Sequence, residues 1–436
     1  MKTGKKTFPN ILKISLLIAL MIFIGCKKDK KMPIEPLQSF TLGVILPMDQ
    51  DKGPLREKAL RTAIDEINEA GGVGSGFRID LVVKSSEGAN REEAAAEASR
   101  EIIASSPNLV GFITAFSSST TGVVEQIAIP ESYPVISGSA TAGNLSGISP
   151  YFSRLCPPDE FEATVLTQQT VSYGINSVAI AVEEGDIYSE NLATTFQQVF
   201  GTGALAIVQF QQNDPNYPAK LNQLVSGDPE AIFISMLTPK IYVEFMTRLS
   251  ELNNSKGFEN TTFILCDALY SSSILEAPLN IMIGEVNGHP KNFGAMPSAD
   301  TSTGPYIYFQ QELMNRFQQE VASYNAQFYD IGYLYSIAIE KTLLEIGTSN
   351  MKIFRAKVKD WIREVSHGKQ GDPPVMPTLG WKSIQYACRN NGVDYQGASG
   401  NCNIDQEGNA FTPYAIFRIK GNPDFYYLEI ISIVDP

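Results

Sequence analysis

The chain has 436 residues, of which 43% are hydrophobic and 19% are charged, and its formal net charge is −13. Nucleic acid is excluded as a partner, because it attracts basic surfaces and this chain is acidic. The five cysteines form no Cys-x-x-Cys pair and the two histidines, His289 and His367, lie far apart, so we expect no metal site and no cofactor.

The first 25 residues have the pattern of a secretory signal. A basic start precedes an apolar stretch at 14–24, which is too short to span a bilayer comfortably. Gly25-Cys26 then resembles the bacterial lipobox, in which the cysteine is lipidated and becomes the mature N-terminus. We therefore predict a signal peptide at 1–25, lipidation at Cys26 and a lipid-anchored linker at 26–39, on the periplasmic or cell-surface side of a bacterial membrane. The alternative is an ordinary signal peptide with a chance cysteine.

From Phe40 onward, patterns typical of buried strands alternate with patterns typical of helices. Leu60, Ala63 and Ile67, for example, recur at helical spacing. The predicted elements are, in order, strand 40–46, helix 55–70, strand 77–84, helix 91–104, strand 109–114, helix 121–130 and strand 135–137. This repeated strand–helix–strand order predicts an open parallel sheet.

A second set of the same kind begins after Pro158. It comprises helix 160–173, strand 177–182, helix 189–200, strand 204–210, helix 219–225, strand 231–235, helix 241–252 and strand 262–266, followed later by helices 329–347 and 353–365 and strands 414–419 and 426–433. Two similar halves predict a cleft between them, and the whole is an α/β fold.

The loops that follow strands carry the chemistry, because ligands bind at the carboxyl ends of strands in open parallel sheets. These loops supply the hydroxyls of 117–120, Ser139 and Thr141, the ring of Tyr188 and the carboxylate of Asp267. Hydroxyls and helix N–H groups suit a ligand carboxylate, and a carboxylate suits an ammonium. Together they predict a cage for an amino acid. The alternative role of 117–120, to cap a helix that starts near Thr121, is compatible with binding.

The remaining cysteines suit an oxidising compartment. Cys388 and Cys402 are separated by a turn-rich stretch, and they are a candidate disulfide that would contribute about 3 kcal/mol through loop entropy. Cys156 and Cys266 could pair or stay buried as thiols, and the sequence leaves both alternatives open.

Several segments together resemble a known family. Residues 42–47, 63–73 and 134–141, with the late segment 395–408, are similar to the type I periplasmic binding proteins of the Leu/Ile/Val-binding class. The resemblance runs from about 41 to 419. It implies two doubly wound parallel-sheet lobes joined by a three-strand hinge, as in a Venus flytrap. The implied domains are lobe 1 at 40–155, lobe 2 at 156–296, a return segment of lobe 1 at 297–365, and tail strands at 366–436 that complete the lobes and hinge.

The family's binding residues match particular positions here. Ser118 would contact the ligand carboxylate, and Ser139, through its backbone, and Thr141 would complete the carboxylate and ammonium contacts. Tyr188 would close over the ligand, and Asp267 would pair with the ammonium. The polar, charged stretch 49–54 departs from the small or apolar residues of many relatives, which weakens the case for a leucine-like ligand.

The resemblance implies a binding protein and no enzyme. It would capture an amino acid, or a similar small amine and carboxylate ligand, as a monomer and present it to the permease subunits of an ABC importer. The alternative is a sensing or scavenging flytrap lipoprotein that has no importer, which the fold alone does not distinguish. An exported enzyme is disfavoured, because Gly-x-Ser-x-Gly is absent and no His lies near a candidate nucleophile.

Overall fold

The computed structural model describes Met1 and residues 39–434, except Ser75 and Ser349, and it does not describe the side chains of 253–256. The predicted lipidation site Cys26 lies outside the described residues, as do the predicted signal peptide after Met1 and the linker before Ser39. No helix of the described residues combines the length and apolar character needed to cross a membrane.

The first sheet contains five strands in the order β2-β1-β3-β4-β5, and every neighbouring pair is parallel. Its central strands β1, β3 and β4 are buried and mainly apolar, as expected for a parallel sheet that helices cover on both faces, whereas the edge strand β2 is mostly half-buried or exposed. The strands and the helices between them are β1 (Ser39–Leu46), α1 (Lys52–Glu69), β2 (Arg78–Ser85), α2 (Arg91–Ser105), β3 (Leu109–Thr114), α3 (Ser117–Val123), β4 (Val135–Ser137) and β5 (Phe152–Arg154).

The second sheet contains seven strands in the order β12-β11-β10-β9-β8-β6-β7. The strands from β10 to β7 are parallel to their neighbours, whereas β11 pairs antiparallel with both β10 and β12. Its elements are α4 (Asp159–Ser172), β6 (Val178–Glu183), α5 (Ile187–Phe200), β7 (Ala204–Phe210), α6 (Tyr217–Leu224), β8 (Ala231–Ser235), α7 (Pro239–Lys256), β9 (Thr262–Leu265), β10 (Asn292–Pro297), β11 (Tyr414–Asn422) and β12 (Phe425–Val434).

Four helices between β10 and β11 return to the first sheet. They are α8 (Gly304–Phe317), α9 (Asn325–Ile346), α10 (Met351–His367) and α11 (Trp381–Asn390). The central helix α9 packs against α1, α10 and α11, and α10 also reaches β3. Almost all of α9 is buried, which explains its predominantly apolar and aromatic sequence.

The chain crosses between the two sheets three times, after β5, after β10 and before β11. These crossings are tied together by backbone hydrogen bonds. The N–H of Ser298 donates to the carbonyl of Pro413 at 2.7 Å, and the N–H of Arg154 donates to that of Gly408 at 2.8 Å. The crossings give the predicted architecture of two α/β lobes with three connections.

The predicted strands and helices are confirmed to within a few residues, with two kinds of exception. The helix predicted at 121–130 begins four residues earlier, at Ser117, and continues through a π-helical turn at Val124–Ala128. Among the strands and helices named above, β5, β10, α8 and α11 had no prediction. The antiparallel edge formed by β11 and β12 also differs from a purely parallel second lobe.

The disulfide predicted between Cys388 and Cys402 is not formed, and both residues are buried free thiols. Cys388 lies on the buried face of α11, whereas the Cys402 thiol contacts the carboxylate of Asp330 on α9 at 3.5 Å. The two thiols therefore have separate surroundings. Cys156 and Cys266 are also free and buried, and each contacts a backbone carbonyl.

Candidate ligand-binding site

A cavity lies between the two sheets, at the ends of strands β3, β4 and β9. Its free volume in this conformation is about 20 Å³, which is enough for about one water molecule. The cavity is lined by Lys52, Arg56, Phe116, Ser117, Ser139, Thr141, Tyr188, Leu237, Asp267, Ala268, Ser323 and Tyr324. Four of the five predicted ligand-binding residues are thus brought to one place, namely Ser139, Thr141, Tyr188 and Asp267.

Asp267 is held by two tyrosines that come from opposite sides of the cavity. It follows β9 in the second sheet, and its side chain is 5% exposed. Tyr188, in the first turn of α5, donates its hydroxyl to one carboxylate oxygen, and Tyr324 donates to the other. Tyr324 precedes α9 and has a left-handed backbone with φ of 65°, which is uncommon for a residue with a side chain. The Asp267 carboxylate therefore connects the two halves of the molecule.

The loop after β4 presents Ser139 and Thr141 to the cavity. The Ser139 hydroxyl donates to the Ala115 carbonyl at 3.2 Å, whereas the buried Thr141 hydroxyl has no partner that meets hydrogen-bond geometry among the described residues. An unsatisfied buried hydroxyl is costly, so the Thr141 hydroxyl can serve a ligand or the nearby Asp159 carboxyl. Ser117, in the first turn of α3, also lines the cavity and accepts a bond from the N–H of Ala142.

Arg154 holds the loop after β4 in place through hydrogen bonds to its backbone. Its side chain is fully buried, and its Nη1 donates to the carbonyls of Ala140 and Ala142 at 2.8 and 2.9 Å. Its Nε donates to the Asn409 side chain at 2.8 Å, in the segment that precedes β11. One guanidinium therefore joins the binding loop to a crossing between the sheets.

Ser118 does not line this cavity. Its hydroxyl is buried without a hydrogen-bond partner among the described residues, and it faces a neighbouring pocket lined also by Arg91, Glu183 and Asp186. The preceding residue, Ser117, faces the cavity instead. Because α3 begins at Ser117, the serines form the helix's first turn, and the N-cap position belongs to Phe116. Capping by the serines, the alternative from the sequence, does not occur.

Two further acids lie close to Asp267, on the first turn of α4. Asp159 and Glu162 are fully buried, and Glu162 accepts the N–H of Asp267 at 2.8 Å. Burial raises the pKa of both groups well above the usual value, and the nearby Asp267 carboxylate acts in the same direction. The Thr141 hydroxyl is close enough to Asp159 to lower that pKa in part. Both acids therefore favour the neutral form.

Two cations, one turn apart on α1, also line the cavity. The Lys52 ammonium donates to the carbonyl of Ala268 at 2.8 Å, and burial together with the nearby Arg56 lowers the pKa of Lys52 to about 8. The Arg56 guanidinium lies 5.3 to 5.6 Å from the ring centres of Phe116, Tyr324 and Phe328. Burial also lowers the pKa of Arg56 to about 10.

Several of these residues were not predicted from the sequence, and the signals for them differ. Lys52 lies in the charged stretch 49–54, which had been recognised as unusual. Arg56 precedes Leu60 by four residues, so it falls on the apolar face of α1, and a cation in that position is a usable signal. Tyr324 had no local signal, because its position depends on an irregular segment between two helices.

Two lobes built on parallel sheets, with a small cavity at the strand ends between them, define the type I periplasmic binding protein fold. Solved structures confirm this assignment. A leucine binding protein, LivK, from Thermotoga maritima superposes with a TM-score of 0.70 at 18% identity, over 91% of this chain and 99% of that chain. LivJ from Streptococcus pneumoniae is a branched-chain amino acid transporter substrate binding protein in complex with isoleucine. It superposes with a TM-score of 0.67 at 18% identity, over 90% of this chain and 99% of that chain. An ABC transporter solute binding protein from Rhodopseudomonas palustris, in complex with 3,4-dihydroxy benzoic acid, superposes with a TM-score of 0.64 at 16% identity, over 91% of this chain and 97% of that chain.

The family follows from the sequence match. Residues 55–422 match the family described as the receptor family ligand binding region, and the chain belongs to that family. Membership places it among ligand-binding domains rather than enzymes, in agreement with the sequence analysis. No curated protein matches the chain.

Proposed function

We propose that this chain is an extracytoplasmic, lipid-anchored solute-binding protein that captures an amino acid, or a similar small molecule with an amine and a carboxylate, for an ABC importer. The observation that carries this proposal is the arrangement around Asp267. A buried carboxylate lines the same small cavity as the hydroxyls of Ser139 and Thr141. This arrangement offers a negative charge to the ammonium of a zwitterion and hydrogen-bond donors to its carboxylate.

Each group has a distinct role in this proposal. The ligand ammonium donates to Asp267, and in doing so it replaces or joins the hydroxyls of Tyr188 and Tyr324. The ligand carboxylate accepts from the Thr141 hydroxyl and from the loop that carries Ser139. Because Asp267 belongs to the second sheet and the loop to the first, only a ligand that touches both sides favours the approach of the two lobes.

The solved neighbours support a small ligand of this type. Their names describe leucine binding and a complex with isoleucine, and one describes a complex with an aromatic acid. All are transporter-associated or amino acid binding proteins by name, which favours an importer over a sensor for this chain. The charged lining at Lys52 and Arg56 distinguishes the present cavity from one built for an apolar side chain.

Calorimetry with the twenty amino acids tests the proposal. Asp267→Asn keeps the shape of the side chain and removes its charge, so we expect ligand affinity to fall about 100-fold or more, as for loss of a buried charged partner. The matched control is Asp360→Asn on α10, where the side chain is 61% exposed and far from the cavity lining. Tight binding that survives Asp267→Asn contradicts the proposed cage.

The lipid anchor is tested separately, because it rests on Cys26 alone. Cys26→Ser should abolish incorporation of labelled fatty acid and release the protein from membranes. Labelling that persists in Cys26→Ser contradicts anchoring at this residue. Ligand affinity should be unchanged in either case.

A further inference from the structure

Two cations occupy the buried face of α1 where that helix meets the cavity. Lys52 is 8% exposed and Arg56 is 3% exposed, and both line the cavity. Charged side chains are rarely buried to this extent unless they are paired, since removing a charge from water costs several kcal/mol. Their partners therefore indicate what the cavity is built to bind.

Neither cation forms a direct ion pair among the described residues, although the Asp267 carboxylate is near enough to raise the pKa of both. No carboxylate oxygen there lies within 4.0 Å of either side chain, and the Lys52 ammonium donates only to a backbone carbonyl. The Arg56 Nη1 is buried with no hydrogen-bond acceptor in the described part of the chain. The aromatic rings near Arg56 can stabilise the face of a guanidinium, but they do not accept its in-plane N–H bonds.

The charges at the cavity do not balance. Among the described residues that line the cavity, Asp267 is the single acid, against two cations. Asp159 and Glu162 lie deeper, and burial favours their neutral forms, so they do not offset the cations fully. A zwitterionic ligand places its ammonium at Asp267 and its carboxylate at the loop with Ser139. That arrangement leaves Lys52 and Arg56 without a directly bonded anion.

We propose that the ligand carries a second anionic group, bound by Arg56 and Lys52, and is therefore an amino acid with an acidic side chain. This inference rests on the proposed function, because it assigns the α-amino and α-carboxylate groups to the zwitterion cage. Arg56 suits this role because its planar guanidinium can donate two parallel bonds to a carboxylate. Lys52 adds a second positive charge one helical turn away.

The competing explanation is structural. The cations would then serve only to offset the acids around Asp267 and to hold α1 against Ala268, and the ligand side chain would not need a charge. The two explanations differ in a measurable way. A structural role predicts equal binding of an acidic amino acid and its amide, whereas an anion subsite predicts strong preference for the acid.

Calorimetry on the unaltered protein makes this comparison without any substitution. The pairs are glutamate with glutamine and aspartate with asparagine, which differ in charge and hardly in shape, with leucine as an apolar reference. We expect one acid to bind at least about 30-fold more tightly than its amide and than leucine, because an unpaired buried cation penalises the neutral ligand. An amide or leucine that binds as tightly as the acids overturns the inference. If that binding depends on Asp267, the proposed function stands.

Variants of Arg56 then locate the subsite. Arg56→Met should remove most of the preference for the acid while amide binding changes little, and Arg56→Lys should retain part of the preference. The control is Arg61→Met on the same helix, a residue 39% exposed and paired with Glu57. Thermal melts establish that each variant is folded. Equal weakening of acid and amide in Arg56→Met overturns the inference, because it indicates a structural role.

Glutarate separates this inference from the proposed function. It keeps both carboxylates of glutamate and lacks the ammonium. Tight binding of glutarate that depends on Arg56 supports the anion subsite and contradicts recognition of an amine at Asp267. Weak binding of glutarate, together with tight binding of glutamate, supports both.

Discussion

Lys52 is a buried charged group, and its burial makes the stability of the folded protein depend on pH. Its pKa falls from 10.5 to about 8 in the folded protein, mainly through burial. Between these values the unfolded chain binds more protons than the folded one, so stability rises with pH from about 8 to about 10.5. Below pH 8 the full cost of the charge is present.

We therefore expect Lys52→Met to be more stable than the unaltered protein at pH 7 by about 1 to 3 kcal/mol, after allowance for the lost bond to Ala268. The advantage should shrink between pH 8 and pH 10.5. Urea unfolding at a series of pH values measures the difference, which cancels the titration of groups common to both proteins. A stability difference that is independent of pH contradicts a lowered pKa of Lys52.

Single residues of the site were predictable where chemistry and strand ends coincided. Ser139, Thr141 and Asp267 follow buried strands, and the rule for parallel sheets places such residues together. The exact serine of α3 was not predictable, because a shift of one residue in where the helix starts moves the side chain by about 100° around its axis. Tyr324 depends on contacts between distant parts of the chain, which no local pattern records.

Arg154 shows how one short strand supports the binding loop. It lies on β5, and its guanidinium bonds to the carbonyls of Ala140 and Ala142 and to Asn409. Arg154→Met would leave these acceptors buried and unpaired, so we expect a loss of about 3 to 5 kcal/mol in unfolding free energy and weaker ligand binding. Urea unfolding and calorimetry measure the two effects. Arg100→Met, at a site 42% exposed, is the control and should change stability by less than about 0.5 kcal/mol.

The contact between α1 and α9 contains a carboxylate, Glu66, whose pKa is raised. Glu66 accepts the hydroxyls of Tyr329 and Tyr333 at 2.9 and 2.6 Å, and burial raises the pKa of Glu66 from 4.5 to about 7. The folded state therefore binds more protons between pH 4.5 and 7, and stability falls as pH rises through this range. The buried charge is a cost that is fully present above pH 7.

Glu66→Gln keeps an acceptor for the tyrosines and removes the charge. We expect little change in stability at pH 4.5 and a gain of about 2 to 3 kcal/mol at pH 8. Thermal or urea unfolding at both pH values measures this. Glu97→Gln, on α2 at a site 62% exposed, provides the control. A gain that is the same at both pH values would argue against titration of Glu66.

Elements were predictable from the sequence to the extent that their own residues determine them. Strands such as β3 and β8 are continuous apolar runs, and their bounds were predicted to the residue. Strand β10 contains Gly294 and ends at Pro297, and β5 has only three residues, so neither has a strong local pattern. Both become strands because neighbours offer them hydrogen bonds, which is a property of the fold.

At the scale of the whole molecule, polar contacts join the two lobes across the cavity. Lys52 reaches Ala268, and Tyr324 reaches Asp267. Outside the cavity, the Arg91 guanidinium lies 3.5 Å from Asp186 and 3.4 Å from the Thr238 hydroxyl. A ligand that uses Asp267 competes with the tyrosines for the same oxygens. The ligand therefore shifts the population toward closed lobes only through the new contacts that it makes with both lobes.

Arg91 offers a way to change closure from outside the cavity, because it is not a lining residue, although its guanidinium lies 5.7 Å from the ring centre of Phe116, which is. Its contacts are long and its side chain is 17% exposed, so the pair contributes about 0.5 to 1 kcal/mol to the approach of the lobes. Arg91→Gln should therefore lower ligand affinity about 2- to 5-fold and increase the radius of gyration of the ligand-free protein, with saturating ligand restoring the compact value. Calorimetry and small-angle X-ray scattering measure these changes, and Arg100→Gln, whose partners lie within the first lobe, should change neither.

Since the contact is electrostatic, added salt should weaken binding more in the unaltered protein than in Arg91→Gln. Equal salt dependence in the two proteins would mean that Arg91 does not contribute to closure.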